Sequence, residues 1–289
     1  MRVLVVGGGG REHAIITKLA QSPEVSALYC APGNAGIAAQ ATCVPIKATD
    51  LDGLCAWVAD NAIDYVVVAP DDPLCLGLVD RLAALGVPAF GPSKAAARIE
   101  GSKAFAKELM RKHGIPTAGY QVFEALDAAL AYARSQPCPL VVKADGLALG
   151  KGVLICQTVA EAEAAVTDML SGGKFGASGR RVVIEEFLTG PEVSVLCFTD
   201  GTTLRPMPAS MDHKRALDGD EGLNTGGMGV IAPNPYYTPE VAERCMREIF
   251  LPTLAAMRAE GAAFRGCLYF GLMLTADGPK VIEYNCRFG

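Results

Sequence analysis

Short apolar runs alternate with segments of helical periodicity through the first part of the chain. Apolar runs bounded by turn residues predict buried strands, and apolar positions that recur every three or four residues predict amphipathic helices. The predicted strands lie at 2–6, 27–30 and 65–69, and the predicted helices lie at 11–21, 51–61 and 74–85. Strands that alternate with helices pair in parallel through right-handed crossovers. We therefore predict an α/β fold that begins with a parallel, doubly wound, Rossmann-like lobe.

The pattern changes beyond Pro92, where proline and glycine mark the end of this lobe. Ser102 is placed to cap a helix that runs to about His113. Further strands are predicted at 140–143, 153–156 and 182–186, and further helices at 160–170 and 239–260. From residue 190 onward the rest of the chain is predicted to consist of strands and loops.

Composition limits the class of protein. Hydrophobic residues make up 51% and charged residues 20% of the 289 residues, so we expect a folded chain with two or three lobes. No apolar run approaches the roughly 20 residues of a membrane helix. The chain opens on a strand pattern rather than on a secretory signal segment. We expect a cytoplasmic protein with no membrane partner.

Charge and cysteine content narrow the choice of partners. The net charge of -5 argues against nucleic acid, which binds to basic surfaces. The ten cysteines are scattered without a C-x-x-C pair, so we expect them to be reduced. Small anionic molecules remain possible as substrates. We expect the protein to be a monomer or a homodimer.

The last predicted strand carries three polar residues at alternate positions, Glu283, Asn285 and Arg287. Alternate side chains of a strand share one face. A carboxylate and an amide oxygen placed in this way can ligate a hard cation such as Mg²⁺ or Mn²⁺. The adjacent arginine can bind an anion that the metal also contacts, which suits phosphoryl transfer from ATP.

Two glycine-rich turns follow the first two strands. Gly9 and Gly10 lie between a strand and a helix, where backbone N–H groups can bind phosphate. Asn34 lies in a turn after the next strand, at the edge where doubly wound sheets place ligands. The alternative for both turns is a structural role in close packing. Because the third glycine of the dinucleotide fingerprint is missing, a nicotinamide-dependent enzyme is disfavoured.

Lys143 and Lys151 flank a loop that contains Gly146, Gly150 and Gly152. The loop joins two predicted strands and lacks the G-K-[ST] ending of a Walker loop. A flexible flap of this kind can close over a triphosphate while its ammonium groups neutralise charge. The alternative is a solvated turn.

A pair of glutamates ends the strand at 182–186. The hinge of Glu185, Glu186, Phe187 and Leu188 can read an adenine edge through backbone groups, and Glu192 can accept from ribose hydroxyls. Glutamates at a strand end are otherwise simply solvated, so this interpretation gains weight only together with the lysines.

A charged cluster precedes a second glycine-rich loop. Asp212, Lys214 and their neighbours are followed by Asn224, Thr225, Gly226 and Gly227 in a largely aperiodic region. Long ordered loops often bind ligands. We interpret the region as a substrate pocket, with a surface charge run as the alternative.

In this order and combination the motifs closely resemble the glycinamide ribonucleotide synthetases (phosphoribosylamine–glycine ligases), a family of the ATP-grasp superfamily. The resemblance covers the whole chain. The matching segments are residues 9–14, 31–36, 101–105, 143–147, 150–153, 212–215, 224–229 and 283–289.

The resemblance implies a domain organisation. An N-terminal Rossmann-like substrate lobe would span 1–101, and an ATP-grasp fold would span 102–289 with a small flap lobe at about 118–188. The family motif continues past Gly289 into Asp-Pro-Glu and a C-terminal domain that this sequence lacks. We therefore expect a truncated chain.

The resemblance also implies a reaction. Glycine would be joined to 5-phosphoribosylamine through glycyl phosphate, with cleavage of ATP to ADP and phosphate. Lys103, Lys143 and Lys151 would contact the phosphates, and Glu283 and Asn285 would hold the metal. Glu186 and Leu188 would border adenine and Glu192 the ribose. Asp212, Lys214 and Arg287 would lie near glycine and the acyl phosphate, and Gly9 and Gly10 near the sugar phosphate.

One difference from the family concerns the first lobe. The family usually carries Gly-Pro-Glu there, whereas this chain has Ala69-Pro70-Asp71-Asp72. The acidic side chain is one methylene shorter and has a second charge beside it. Two other functions stay open: another ATP-grasp carboxylate–amine ligase, and a nucleotide-binding module without turnover. The second of these predicts ATP binding that no substrate converts into phosphate release.

Overall fold

The structure is a computed structural model that describes residues 1–147, 152–171, 179–213, 215–219, 221–225 and 229–289. Within these residues the strands are β1 (Arg2–Gly7), β2 (Ala27–Pro32), β3 (Thr42–Cys43), β4 (Tyr65–Val68), β5 (Ala89–Phe90), β6 (Tyr120–Phe123), β7 (Leu140–Ala144), β8 (Val153–Cys156), β9 (Val182–Glu186), β10 (Glu192–Thr199), β11 (Leu204–Pro206), β12 (Met211–Asp212), β13 (Arg215–Leu217), β14 (Glu221–Asn224), β15 (Val230–Ile231), β16 (Gly266–Thr275) and β17 (Gly278–Asn285). The helices are α1 (Gly10–Leu19), α2 (Leu51–Asp60), α3 (Asp71–Leu76), α4 (Leu78–Ala84), α5 (Lys94–Gly101), α6 (Lys103–Lys112), α7 (Leu126–Ser135), α8 (Val159–Ser171), α9 (Pro239–Cys245) and α10 (Leu251–Ala259).

The N-terminal part is built on a parallel sheet with the strand order β3-β2-β1-β4-β5. Successive residues of β1 enter different apolar clusters: Leu4 and Val6 pack on one face, and Val3 and Val5 on the other. A strand that is apolar on both faces requires helices on both sides of the sheet. The predicted parallel, doubly wound lobe is confirmed.

The helix predicted at 74–85 is wrong as a single element. Gly77 has a φ of +97° and separates α3 from α4. Left-handed backbone of this kind is open to glycine at little cost and ends a helix. The short strands β3 and β5 were also not predicted, since two residues are too few to show a periodicity.

The middle of the chain forms a small lobe with its own core. Its antiparallel sheet has the order β6-β9-β7-β8, and α7 and α8 pack on one face. Ala133, Val142, Val166 and Ile184 belong to an apolar cluster that is separate from the main core. We call this unit the flap lobe, as the resemblance predicts.

The last part of the chain carries a second antiparallel sheet with the order β11-β10-β16-β17, referred to below as the central sheet. A helical segment packs behind it, formed by α9, a π-helical turn at Met246–Phe250 and α10. Phe250 contacts Phe270 of β16 at 4.3 Å between ring centroids. The predicted helix at 239–260 is thus observed, with an irregular middle.

The N-terminal lobe and the central sheet share one core. The main apolar cluster contains Leu4 and Val68 from the first sheet together with Phe270 and Val281 from the central sheet. A Cβ atom on Gly266 would lie 3.2 Å from the Cα atom of Gly91, so the two backbones meet closely. This packing fixes the N-terminal lobe against the strands that carry the predicted site.

Among the described residues, no helix is both long enough and apolar enough to cross a membrane. The exact boundaries at 101, 118 and 188 stay predictions.

Candidate active site

A cleft of about 560 Å³ opens where the three parts of the molecule meet. Its lining comes from α1 and α3 of the N-terminal lobe, from α5 and α6, from the flap lobe and from the central sheet. The described lining residues that carry polar or charged side chains are Arg11, Asp71, Glu100, Lys103, Lys107, Lys143, Glu185, Asp212, Thr225, Tyr269, Glu283, Tyr284, Asn285 and Arg287.

Glu283 and Asn285 face this cleft from β17 because the strand contains a bulge. The register pairs Val281 with Leu272 and Glu283 with Gly271, which leaves Ile282 as an extra residue. The bulge allows Val281 to stay in the core while Glu283 faces the cleft. A Cβ atom on Gly271 would lie 2.7 Å from Glu283 Cγ, so glycine is needed opposite the carboxylate.

Arg287 lies just beyond the end of β17, although the sequence predicts it on the strand. Its Nη2 donates to Glu100 Oε1 at 2.7 Å and to Asn285 Oδ1 at 3.2 Å, and lies 3.9 Å from Asp71 Oδ2. Arg287 is therefore close to Asn285, as predicted, but a hydrogen bond holds it there and not a shared position on one face of the strand.

Glu100 connects α5 to the backbone beside Arg287. Its second carboxylate oxygen accepts from the Cys286 N–H at 2.7 Å. Burial raises the pKa of Glu100, while the charge of Arg287 and the hydrogen bond from Cys286 act in the opposite direction. The side chain thus holds the segment that follows the predicted metal ligands.

Two of the predicted phosphate-binding lysines are hydrogen bonded to backbone carbonyl groups. Lys103 Nζ donates to Gly146 O at 2.8 Å, and Lys143 Nζ donates to Ile282 O at 2.9 Å. Desolvation lowers the pKa of Lys103, and the positive charge of Lys143 adds to this effect. Both ammonium groups are anchored at the floor of the cleft, where an anionic ligand would meet them.

Glu185, on β9 of the flap lobe, lies between Lys143 on β7 and Lys107 on α6. Its carboxylate lies 3.0 Å from Lys143 Nζ and 2.9 Å from Lys107 Nζ. Burial lowers the pKa of Lys107 to about 8, although the charge of Glu185 raises it. Lys107 was not predicted as a site residue, yet its position four residues after Lys103 places both on one face of α6.

Asp145 ties the start of the glycine-rich flap loop to α6. It accepts from Ser102 Oγ and from the Ala104 N–H, both at 3.0 Å, and pairs with Arg181. Gly152 lines the cleft at the far end of the loop. Gly150 and Lys151 lie outside the described residues.

Of the predicted adenine hinge, only Glu185 is among the described residues that line the cleft. The described lining residues do not include Glu186, Phe187, Leu188 or Glu192. Glu186 Oε1 accepts from the Gly119 N–H at 2.9 Å, because alternation along β9 points Glu186 away from the side that Glu185 occupies. Their roles at the nucleotide stay predictions.

The two N-terminal glycine turns pack against each other. A Cβ atom on Gly8 would lie 2.7 Å from Gly33 O, and Asn34 Nδ2 donates to Gly8 O at 2.9 Å. The Gly9 N–H donates to Glu12 Oε2 at 2.5 Å. Asn34 therefore shapes the turn, Gly9 and Gly10 are exposed beside it, and neither of these glycines is among the described lining residues.

The predicted substrate loop is described in part. Asp212 on β12 and Thr225 after β14 both line the cleft. Lys214, Gly226 and Gly227 lie outside the described residues, and only the backbone of Asn224 is described, in β14.

Four charged residues among the described lining were absent from the predicted site: Arg11, Asp71, Glu100 and Lys107. Asp71, which the resemblance sets at the position of a family glutamate, lies 3.9 Å from Arg287 Nη2 through its Oδ2 atom. For Lys107 a helical-face argument from Lys103 would have sufficed. The packing of α1 and α5 on the end of β17 brings in Arg11 and Glu100, and no local sequence pattern shows that contact.

The donor set fits a magnesium ion that is shared with a ligand. Glu283 and Asn285 supply hard oxygen donors on one side of the cleft. Among the described residues, no group of three or more histidine, cysteine or acidic side chains could hold a metal ion. Mg²⁺ needs only one or two protein ligands where phosphates complete its shell.

Two family sequence models together match the full chain. Residues 1–100 match the phosphoribosylglycinamide synthetase N domain, and residues 101–289 match the phosphoribosylglycinamide synthetase ATP-grasp (A) domain.

Similarity to individual proteins agrees with these models. A phosphoribosylamine–glycine ligase of Xanthomonas campestris is 57% identical over 292 residues, which cover 100% of this chain and 68% of the relative. The crystal structure of phosphoribosylamine–glycine ligase from Thermotoga maritima matches with a TM-score of 0.86 at 36% identity, covering 100% of this chain and 69% of that one.

A more distant structure shares the fold. The biotin carboxylase domain of 2-oxoglutarate carboxylase from Hydrogenobacter thermophilus, in complex with MgADP, ADP and bicarbonate, matches with a TM-score of 0.74 at 16% identity. It covers 100% of this chain and 64% of that chain. With both family models matched and a relative of 57% identity, the chain belongs to the phosphoribosylglycinamide synthetase family of ATP-grasp ligases.

Proposed function

We propose that this chain joins glycine to 5-phosphoribosylamine with ATP, giving glycinamide ribonucleotide, ADP and phosphate in purine biosynthesis. The observation that carries the proposal is the shared cleft, where Lys103 and Lys143 face Glu283, Asn285 and Arg287. Family membership supports the choice of substrates, since the relatives are named phosphoribosylamine–glycine ligases.

ATP binds with its phosphates against Lys103 and Lys143. Gly150, Lys151 and Gly152 of the flap cover the triphosphate. The hinge from Glu185 to Leu188 borders adenine, and Glu192 accepts from the ribose. The buried floor of the cleft supports this placement, because fixed ammonium groups in a partly desolvated site stabilise phosphate charge better than solvated ones.

Glu283 and Asn285 would hold Mg²⁺, or Mn²⁺ in its place. When bound, the metal neutralises charge on the phosphates and helps to fix their position. The chain's own contribution is the bulge in β17, which turns Glu283 toward the cleft.

In the first step a glycine carboxylate oxygen attacks the γ-phosphorus of ATP and ADP leaves, which gives glycyl phosphate. Lys103 and Lys143 reduce the repulsion between the two approaching anions. Arg287, Asp212 and Lys214 bind glycine and the acyl phosphate. Glu100 keeps the guanidinium of Arg287 oriented toward this position.

In the second step the amine of 5-phosphoribosylamine attacks the glycyl carbonyl carbon and phosphate leaves. Gly9, Gly10 and Asn34 lie on the side of the sugar phosphate. The segment Asn224, Thr225, Gly226 and Gly227 contributes to the substrate pocket. The protein is proposed to act in the cytoplasm as a monomer or homodimer on small molecules alone.

The test is phosphate release from Mg-ATP with glycine and freshly generated phosphoribosylamine, supplied together and omitted in turn. We expect release only when both are present, and a loss of at least about a hundredfold in Lys143→Met, since one preorganised charge contributes at this scale. Lys18→Met, which removes an exposed lysine from α1, serves as the control and should match the wild type.

Release that persists without one substrate would contradict the ligase assignment, and undiminished release in Lys143→Met would contradict the role of Lys143. ATP binding without release under any combination would favour a nucleotide-binding module without turnover.

A further inference from the structure

Lys107 is buried at the wall of the nucleotide cleft, with 2% of its surface exposed. Its Nζ lies 2.9 Å from Glu185 Oε2 and donates to Thr117 Oγ1 at 2.9 Å. Thr117 Oγ1 in turn donates to Val281 O at 2.7 Å, which anchors the group to β17. The ammonium group is therefore held in place by protein partners rather than directed at a ligand.

The partner of Lys107 is also the partner of Lys143. Glu185 is 3% exposed and lies between the two ammonium groups, 3.0 Å from Lys143 Nζ. Three charged groups of this kind carry a net charge of +1. Neighbouring charged and titratable groups include Glu186 and Tyr120 beside Lys107, and Lys103 beside Lys143; the Tyr120 ring centroid lies 5.5 Å from Lys107 Nζ.

The charge balance has a consequence for Lys143. Without Lys107, the single negative charge of Glu185 would be matched by Lys143 alone, and the pair would be neutral. In a buried site such charges are poorly screened by salt or water. An approaching triphosphate would then meet less positive potential, although Lys143 itself would still be present.

We propose that Lys107 is a positioning residue of the nucleotide site, which neutralises Glu185 so that Lys143 keeps its charge and direction for phosphate. The inference rests on the proposed function only in taking ATP as the nucleotide. It assigns a role to a lysine that does not itself contact the phosphates.

A charge-restoring double variant tests this role. Lys107→Met should weaken binding of the non-hydrolysable ATP analogue AMP-PNP, with Mg²⁺, by about tenfold or more, as expected for one lost charge in a buried site. Adding Glu185→Gln to Lys107→Met removes the unmatched carboxylate and should restore affinity to within about threefold of wild type. Titration calorimetry measures both, and Lys112→Met on the exposed side of α6 is the control.

A role in packing alone gives a different result, because the second substitution would then weaken binding further or leave it unchanged. Wild-type affinity in Lys107→Met would also overturn the proposal. If Lys107→Met does not fold, Lys107→Gln keeps a hydrogen-bond donor without the charge and should show the same loss and the same rescue.

The measurement omits glycine and phosphoribosylamine. The wild-type chain could bind AMP-PNP and yet release no phosphate from Mg-ATP in the presence of glycine and phosphoribosylamine. That result would contradict the ligase assignment and leave this inference standing. A wild-type chain that does not bind AMP-PNP would overturn this inference.

Discussion

Single residues decide where the chemistry of this site can occur. Gly271 has no side chain to displace Glu283, and Glu185 holds two lysines at hydrogen-bonding distance. Lys143, Glu283 and Asn285, which the family resemblance assigns to one nucleotide site, line the same cleft, and their roles there stay predictions. Glu100 was missed because its partners come from a distant segment, whereas Lys107 could have been found from its position on the same face of α6 as Lys103.

At this scale, the stability of the protein should depend on pH through Lys107. Burial lowers its pKa from 10.5 to about 8, so between these values the unfolded chain binds a proton that the folded chain does not. The free energy of unfolding contributed by this group therefore increases as pH rises from about 8 to 10.5. We expect urea denaturation to show that the difference in the free energy of unfolding between wild type and Lys107→Met increases over this pH range.

Lys112→Met removes an exposed lysine from the same helix and should keep the wild-type slope. Parallel stability profiles for wild type and Lys107→Met would mean that Lys107 does not lose its proton in this range.

At the scale of elements, caps and bulges place the functional side chains. The sequence predicted α6 and its Ser102 cap, and Ser102 Oγ does accept from the Phe105 N–H at 3.1 Å. It also donates to Asp145 at the start of the flap loop, 43 residues further along the chain. The bulge in β17 could not be predicted, since it depends on the register with β16.

Ser102→Ala should therefore affect two properties. Loss of the cap should lower the free energy of unfolding by about 1 kcal/mol. Loss of the contact with Asp145 should raise the KM for ATP, because the flap loop is less firmly attached to α6.

Ser93→Ala is the matched control, since Ser93 caps α5 through the Ala96 N–H and, within the part of the chain that the structure describes, its side chain makes no hydrogen bond to the flap lobe. It should lose similar stability with an unchanged KM. An equal rise of the KM for ATP in both variants would mean that the effect comes from the loss of stability and not from the contact with Asp145.

At the scale of the whole molecule, the site exists because distant parts meet. Glu100 and Arg287 are 187 positions apart, yet they form a hydrogen-bonded ion pair at 2.7 Å between α5 and the segment after β17. The N-terminal lobe adds Arg11 and Asp71 to the same cleft.

Glu100→Gln should separate catalysis from nucleotide binding. The amide keeps the size of the side chain but removes the charge that orients Arg287. Loss of one charge from a buried ion pair is more destabilising than the same loss at the surface. We expect turnover to fall by about tenfold or more, with AMP-PNP affinity within about threefold of wild type.

Glu108→Gln disrupts an exposed pair with Arg111 and should leave turnover unchanged, since surface ion pairs contribute little. A wild-type turnover in Glu100→Gln would show that Arg287 keeps its orientation without the charge.

Local sequence patterns predicted the parallel N-terminal sheet, three strands of the flap lobe, the helices at 160–170 and 239–260, and the resemblance to the family, whereas β10, β16 and α7 were given no bounds. Apolar periodicity, caps and glycine-rich turns are local properties, so they can be read along the chain. The tertiary structure alone decided the break at Gly77, the bulge that turns Glu283 to the cleft, and the partners of Glu100 and Lys107. These depend on register, burial and charge balance between segments far apart in sequence, which no local pattern records.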